Sequence, residues 1–120
     1  MPQFGFQYLI SGVAGLSGGD IGSQTAACEL LVRADLSHRG FQVTVPVSPT
    51  AKHDCHVELP SVGWKGVQIK AARYNNRSGN LNLYNGSRGN VSPILALVFM
   101  PLKKIEYRAG TEPLPPELQE

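Results

Sequence analysis

An α/β domain with a mixed central β-sheet of four to five strands and one long N-terminal helix is what this sequence predicts, on three observations. Residues 22–39 carry apolar side chains at helical spacing and stop at Gly40. The runs FQVTVPV, CHVEL, GVQIKA and ILALVFM are strand-length and either alternate or are apolar throughout. A long Asn-, Gly- and Arg-rich segment then separates the earlier strands from the last two. Helix, strands, long connection and strands again is an α/β order.

The 120 residues suit one domain, 42% of them are hydrophobic, and the net charge is +2. No stretch has the length of a membrane span, and YLISGVAGL near the start lacks a basic leader, so a cytoplasmic protein without membrane contact is expected. Cys28 and Cys55 make no disulfide framework and are expected as free thiols. Charge is segregated: between Leu59 and Ile105 there is no acidic residue, while Lys65, Lys70, Arg73, Arg77, Arg88, Lys103 and Lys104 all lie there. That distribution favours a polyanionic partner.

Residues 1–19 read as an N-terminal arm in which FGFQYLI is a candidate edge strand and GLSGGD a turn. No GK[ST] accompanies those glycines, so they do not make a phosphate loop. The helix opens after Asp20 or Ser23, and Ala27, Cys28, Leu30, Leu31 and Ala34 form its sheet-facing stripe. Glu29 stands at the edge of that stripe with Arg33 as an i+4 partner, which by itself describes a solvated rim pair. Phe41 to Val47 reads as a strand buried on one face, stopped by Pro46 and Pro49.

The stretch DCHVELPSVGWKGVQIK, residues 54–70, holds the chemistry. It reads as strands Cys55–Leu59 and Gly66–Ala71 joined by a hairpin connection around PSVGW. A connection centred near Ser61 or Val62 sets Asp54 opposite the Gln68 to Lys70 step, so a carboxylate, an amide and an ammonium converge. Such a grouping suits Mg²⁺, which takes oxygen ligands and keeps several waters, with a lysine to hold phosphate or help activate a water. The plainer reading is a half-buried hairpin whose polar residues face water. HDCH, residues 53–56, invites zinc, but strand alternation aims His53 and Cys55 away from His56, and no second ligand pair is present. His56 or Cys55 as base or nucleophile of a small-molecule enzyme lacks an oriented partner.

A helix carrying Glu29, then RGFQVTVPVSPTAKHD, then VQIK, then ILALVF, resembles the PD-(D/E)XK nuclease superfamily, the restriction-endonuclease-like fold, over about residues 22–108. The likeness is to its small resolvase and homing-endonuclease members that carry Gln at the (D/E) position. It implies that Asp54 is the metal-binding Asp, Gln68 stands at the (D/E) position, Lys70 is the motif Lys and Glu29 is the helix carboxylate. His53 replaces the motif Pro. The resemblance implies a metal-dependent DNA endonuclease or resolvase, using Mg²⁺ or Mn²⁺ held by Asp54 and Gln68 and acting as a homodimer. Because Gln68 removes an anion from the site, an inert nuclease-like module that binds nucleic acid or protein is the alternative.

Residues 72–91, rich in asparagine, glycine and arginine, read as a long functional loop or as a hairpin in which LNLY turns at NGSRGN. Arg73, Tyr74, Arg77 and Arg88 combine phosphate-pairing groups with a stacking ring beside Lys70, and Lys52 and Ser48 flank the site in the loop before Asp54. Ile94 to Met100 reads as a central strand, KKIEYRA as an amphipathic edge strand, and residues 109–120 as a proline-rich surface tail.

Overall fold

The structure, a computed structural model, describes residues 21–48, 51–74, 81–83, 91–99 and 104–119. Helix α1, Ile21–His38, packs on a sheet of strands β1 (Gln42–Thr44), β2 (Cys55–Leu59), β3 (Gly63–Tyr74), β4 (Leu81–Leu83), β5 (Ile94–Phe99) and β6 (Lys104–Ala109). The strand order is β1-β2-β3-β5-β6, with short β4 beside β3. β3 and β5 run parallel and the other described pairings are antiparallel, so the sheet is mixed as expected.

Alternation along the strands makes two layers of core. Cys55, Val57 and Leu59, then Val67, Ile69 and Ala71, then Ile94, Ala96 and Val98 share one face. Against them α1 sets Cys28, Leu31, Val32 and Leu36. Ala72, Leu97 and Phe99 cluster on the opposite face with Leu95 at their margin. β5 is therefore buried from both sides, which is why ILALVF has no polar alternation.

At the far end of α1, Asp35 is 4% exposed and accepts hydrogen bonds from Tyr107 Oη at 2.6 Å and Arg39 Nε at 3.0 Å. The Arg39 guanidinium also lies 5.3 Å from the Tyr107 ring centre. A buried charge is tolerable only when so answered, and the triad ties the last helical turn to β6. Gly40, at φ +96°, reverses the chain out of the helix in a conformation that L side chains avoid.

Four expectations are corrected. Leu30 is 44% exposed and lies off the helix's buried stripe, which instead runs through Ala27, Cys28, Leu31, Val32, Asp35 and Leu36. β1 has three residues, and Val45 and Val47 beyond it are exposed, because β1 is an edge strand and no apolar surface waits for them there. β3 continues to Tyr74 and pairs antiparallel with β4, so residues 72–74 belong to a strand, while NGSRGN, where a hairpin turn is expected, lies outside the described residues. The 109–120 segment is no mere surface tail: Leu118 is 2% exposed and joins the main core, with Leu114 packed beside it. Its acids clasp the β2–β3 hairpin, Glu117 accepting from Ser61 N and Oγ at 2.7 and 2.5 Å and Glu112 pairing with Lys65 at 2.7 Å. The Ser61 hydrogen bonds hold the Glu117 carboxyl below its usual range. The expected arm at 1–19 lies outside the described residues.

Candidate functional site

The site lies where β2 leaves β3. Val67 pairs with both Cys55 of β2 and Ile94 of β5, and Ala72 pairs with both Leu83 of β4 and Phe99 of β5. β2 and β4 therefore share one edge of β3, and among the described pairings residues 68–71 have no strand on that edge. Asp54 fills part of the gap. Its own N–H donates to Val67 O at 2.9 Å, and its carboxylate oxygen Oδ2 accepts from Ile69 N at 2.7 Å and from Gln68 Nε2 at 3.2 Å. A side-chain oxygen thus stands in for the strand carbonyl that the ladder would next supply.

The hairpin sets this up locally. Its turn at Pro60–Val62 ends on Gly63, at φ +77°, and the pairing Cys55 with Val67 places Asp54 beside Gln68 as the alternation expects. Gln68 gives its NH₂ to Asp54, so its carbonyl oxygen remains the group it can offer to a cation. Lys70, two residues further along β3, shares the face of Gln68 and is buried at 6% exposure.

Glu29, on the helix that packs against the Val67, Ile69 and Ala71 face of β3, comes within electrostatic reach of Asp54. It is half-buried, and its carboxyl is raised above the ordinary value by burial first and by the charge of Asp54 second, with Arg33 opposing. Two carboxylates within electrostatic reach repel each other, and positive charge near them relieves that repulsion. The oxygens the fork itself offers are those of the Asp54 carboxylate and the Gln68 amide, with the Glu29 carboxyl in electrostatic reach of Asp54. Oxygen donors of this kind suit a hard divalent cation that keeps several waters; among the described residues no group of three or more His, Cys, Asp or Glu side chains is gathered that could hold a metal ion.

The histidines depart from expectation. His53 and His56 do not aim apart; their rings meet edge to face with centres 5.3 Å apart. The alternation rule fails because residues 51–54 precede the strand. The His53 ring lies over Gly66, where an added Cβ would fall 2.5 Å from Cγ, and its Nδ1 is 2.6 Å from Oγ of the fully buried Ser92. Burial, then the neighbouring charges of His56 and Lys52, lower its proton affinity against the pull of Asp54. His53 therefore pins the loop that carries Asp54 to the start of β5.

Of the residues expected to meet nucleic acid, Lys52 and Ser48 are exposed in the loops before Asp54. Arg73 and Tyr74 lie in β3, opposite Asn82 and Leu81. Arg77 and Arg88 lie outside the described residues. Sequence reasoning undervalued Arg33, read only as a rim partner of Glu29, and its Nε proves buried without a hydrogen-bond partner among the described residues. The i+4 spacing was the available signal.

Both thiols are packed away from chemistry. Burial pushes Cys28 up to about 11 and Cys55 to about 12, with Glu29 adding to the first and Asp54 to the second. A thiol raised in this way stabilises the fold fully below its unfolded value near 9, and that stability is lost as pH climbs from there through the folded values. At pH 8 a thiol-specific chromogenic reagent is expected to titrate neither cysteine in the folded protein and both after denaturation. Rapid labelling of folded Cys55 would reopen the nucleophile reading.

The arrangement is an α/β fold, one helix packed on a mixed sheet whose β3 edge forks between β2 and β4. No protein-family model matches the chain, and no curated protein sequence does. Among solved structures it is similar to the bacterial homing endonuclease I-Ssp6803I, with a TM-score of 0.60 at 14% identity, covering 76% of this chain and 70% of that one. The likeness establishes the α/β fold with its helix packed on the mixed sheet. Among the described residues no helix is long and apolar enough to cross a membrane.

Proposed function

We propose that the protein is a metal-dependent DNA endonuclease or resolvase-like phosphodiesterase of the PD-(D/E)XK type, with Gln68 at the acidic position. The observation that carries the reading is the Asp54 carboxylate fixed in the fork by Ile69 N and Gln68, with Glu29 brought up from the helix. The resolvase-like motif order and the fold shared with a homing endonuclease support it.

Asp54, the Gln68 carbonyl oxygen and Glu29 would hold Mg²⁺ or Mn²⁺. Such a cation, when bound, lowers the pKa of a ligated water and neutralises charge growing on the phosphate. Asp54 contributes one anchored oxygen, whose hydrogen bonds keep the carboxylate from turning away. Gln68 orients Asp54 through its NH₂ while adding no charge. Lys70 holds the attacking oxygen or pairs with the non-bridging phosphate oxygens, its ammonium stiffened by burial on the strand. Lys52, Arg73, Tyr74, Arg77 and Arg88 would be the residues that meet the phosphates and bases of the nucleic acid. Each subunit of a homodimer would cut one strand.

One observation favours a second reading, a nuclease-like module that binds without cutting. The Gln68 amide already occupies Oδ2 of Asp54, so the site has one anion fewer and one oxygen already engaged. A single experiment separates the two: duplex and branched DNA incubated with Mg²⁺ or Mn²⁺ beside a Lys70→Ala variant. Cleavage by the wild type, at least about a hundredfold above the variant, is expected. Equal cutting by both would point to a contaminant, and DNA binding without cutting would favour the inert module.

A further inference from the structure

The two faces of the β1–β2–β3 end of the sheet are used differently. Val43, Val57 and Leu59 turn toward α1 and the core, and on the same side Lys65 pairs with Glu112 of the C-terminal segment. Alternation sends Gln42, Thr44, His56, Glu58 and Trp64 to the opposite face, the one that carries Gln68 and Lys70.

The register sets these side chains in two rows. Gln42 faces Glu58 and Glu58 faces Trp64, so three side chains stand abreast on three neighbouring strands. In the next row Thr44 faces His56 and His56 faces Gly66. The His53 ring takes the place of the side chain that Gly66 lacks, since a Cβ there would fall 2.5 Å from it, and it meets the His56 ring edge to face at 5.3 Å. One further step along β3 stands Gln68 of the fork. Such steps of two residues are about 7 Å each, a stride of the kind an unstacked nucleic-acid strand takes from one base to the next.

Trp64 is 48% exposed, with Gln42, Thr44 and Glu58 exposed around it. A single exposed ring needs no explanation. An exposed indole flanked by a carboxylate and an amide, one row from two imidazoles and continuous with the fork, is a set with a use. The rings offer flat faces to bases, and Glu58 and Gln42 offer acceptors and a donor to base edges. A carboxylate in this row repels phosphates, which points the row at bases and leaves the phosphates to Lys52 and to the acid-free, lysine- and arginine-bearing stretch from Leu59 to Ile105. In a duplex the base faces are already stacked on one another, so Trp64 has a partner there only where bases are unpaired.

We propose that this face is a stacking platform, centred on Trp64, for the unpaired bases of a nucleic-acid strand. The inference rests on the phosphodiesterase reading above and deepens it by naming the substrate class: a nucleic acid with a single-stranded stretch beside the phosphodiester that the fork addresses. Trp64 lies four residues from Gln68 on one strand face, about 13 Å, so the platform holds bases within two or so nucleotides of the fork.

Trp64 is the only tryptophan of the chain, so its fluorescence reports on the platform directly. The full chain, held in chelator so that nothing is cut, is titrated with a short oligodeoxynucleotide and with the duplex of the same sequence. The single strand is expected to quench the emission and the duplex to leave it nearly unchanged. By the anisotropy of labelled DNA, Trp64→Ala should bind the single strand roughly tenfold or more weakly while its duplex affinity moves less than about threefold. Trp64→Phe, which keeps a ring, should retain most of the single-strand affinity. Melting curves establish that each variant folds, and quenching of the wild type reads the platform independently of them. Unchanged emission with the single strand bound, or Trp64→Ala matching the wild type on it, overturns the platform and leaves the phosphodiesterase reading standing. So does a Trp64→Ala protein that is monomeric where the wild type is dimeric, which would assign the face to a second copy of the chain. Absence of binding to single strand and duplex alike, in chelator and in Ca²⁺, overturns the phosphodiesterase reading itself, and the inference with it.

Discussion

Asp54→Asn is expected to abolish metal-dependent cleavage while leaving the protein folded. The amide oxygen of asparagine can still accept from Ile69 N, so the fork keeps the hydrogen bond that closes it. What changes is the second atom, where an anionic oxygen becomes an NH₂ that repels a cation instead of ligating it. Removing a principal metal ligand takes away several kcal/mol of transition-state stabilisation, so the rate should fall about a thousandfold or more. The thermal midpoint should move by no more than a few degrees.

Asp54→Ala is a different experiment at the same position. It leaves the Ile69 N–H and the Gln68 amide facing no acceptor, and a part-buried donor without a partner costs about 1–3 kcal/mol. Alanine should therefore lose both activity and stability, and asparagine activity alone. Cleavage by Asp54→Asn at the wild-type rate would move the chemistry out of the fork altogether.

The fork was legible because its causes are local. Pro60 and Gly63 mark a tight reversal, the apolar residues Cys55, Val57 and Leu59 fix which face β2 buries, and those two constraints set the register that brings Asp54 to Gln68. One residue of slip would have turned Val67 and Ile69 out of the core, so the register had little freedom. β5 was equally plain, since ILALVF leaves no polar residue to face water.

What escaped depended on distant partners. His53 was assigned a direction by strand parity, yet it lies before the strand, and its ring direction is set by Ser92 and by the missing side chain at Gly66. The asparagines after ARY point to a loop, but β4 pairs with all three of its residues along one edge of β3 and β5 reaches Ala72 on the other, which extends the strand. Leu30 satisfied the helical spacing as well as Leu31 did. Only the path of α1 over β1, β3 and β5 distinguishes the buried from the exposed one. Arg33 is a related case: spacing reveals a partner at i+4 but not that the pair comes within electrostatic reach of Cys55, or that Arg33 Nε is buried.

The C-terminal segment is the strongest case of composition misleading, and it carries the second large expected effect. TEPLPPELQE has the proline and acid content of a solvated tail, but the short 3-10 turn Pro116–Leu118 delivers one leucine into the core that α1 shares with the sheet. Truncating a fully enclosed leucine costs its transfer energy plus the cavity it leaves, so Leu118→Ala should destabilise the fold by about 2–5 kcal/mol in urea titrations. Glu117→Ala next to it removes an exposed clasp to Ser61 and should shift the midpoint far less. The same core cluster holds Cys55 and Ile69, the neighbours of Asp54 in the chain and by hydrogen bond, so loosening it from below should also blur the fork. Leu118→Ala is accordingly expected to lose metal-dependent cleavage with rising temperature well before the wild type does, the loss tracking its own melting curve. A Leu118→Ala protein as stable as the wild type would mean that the segment merely rests on the surface and that the sheet and α1 close their core without it.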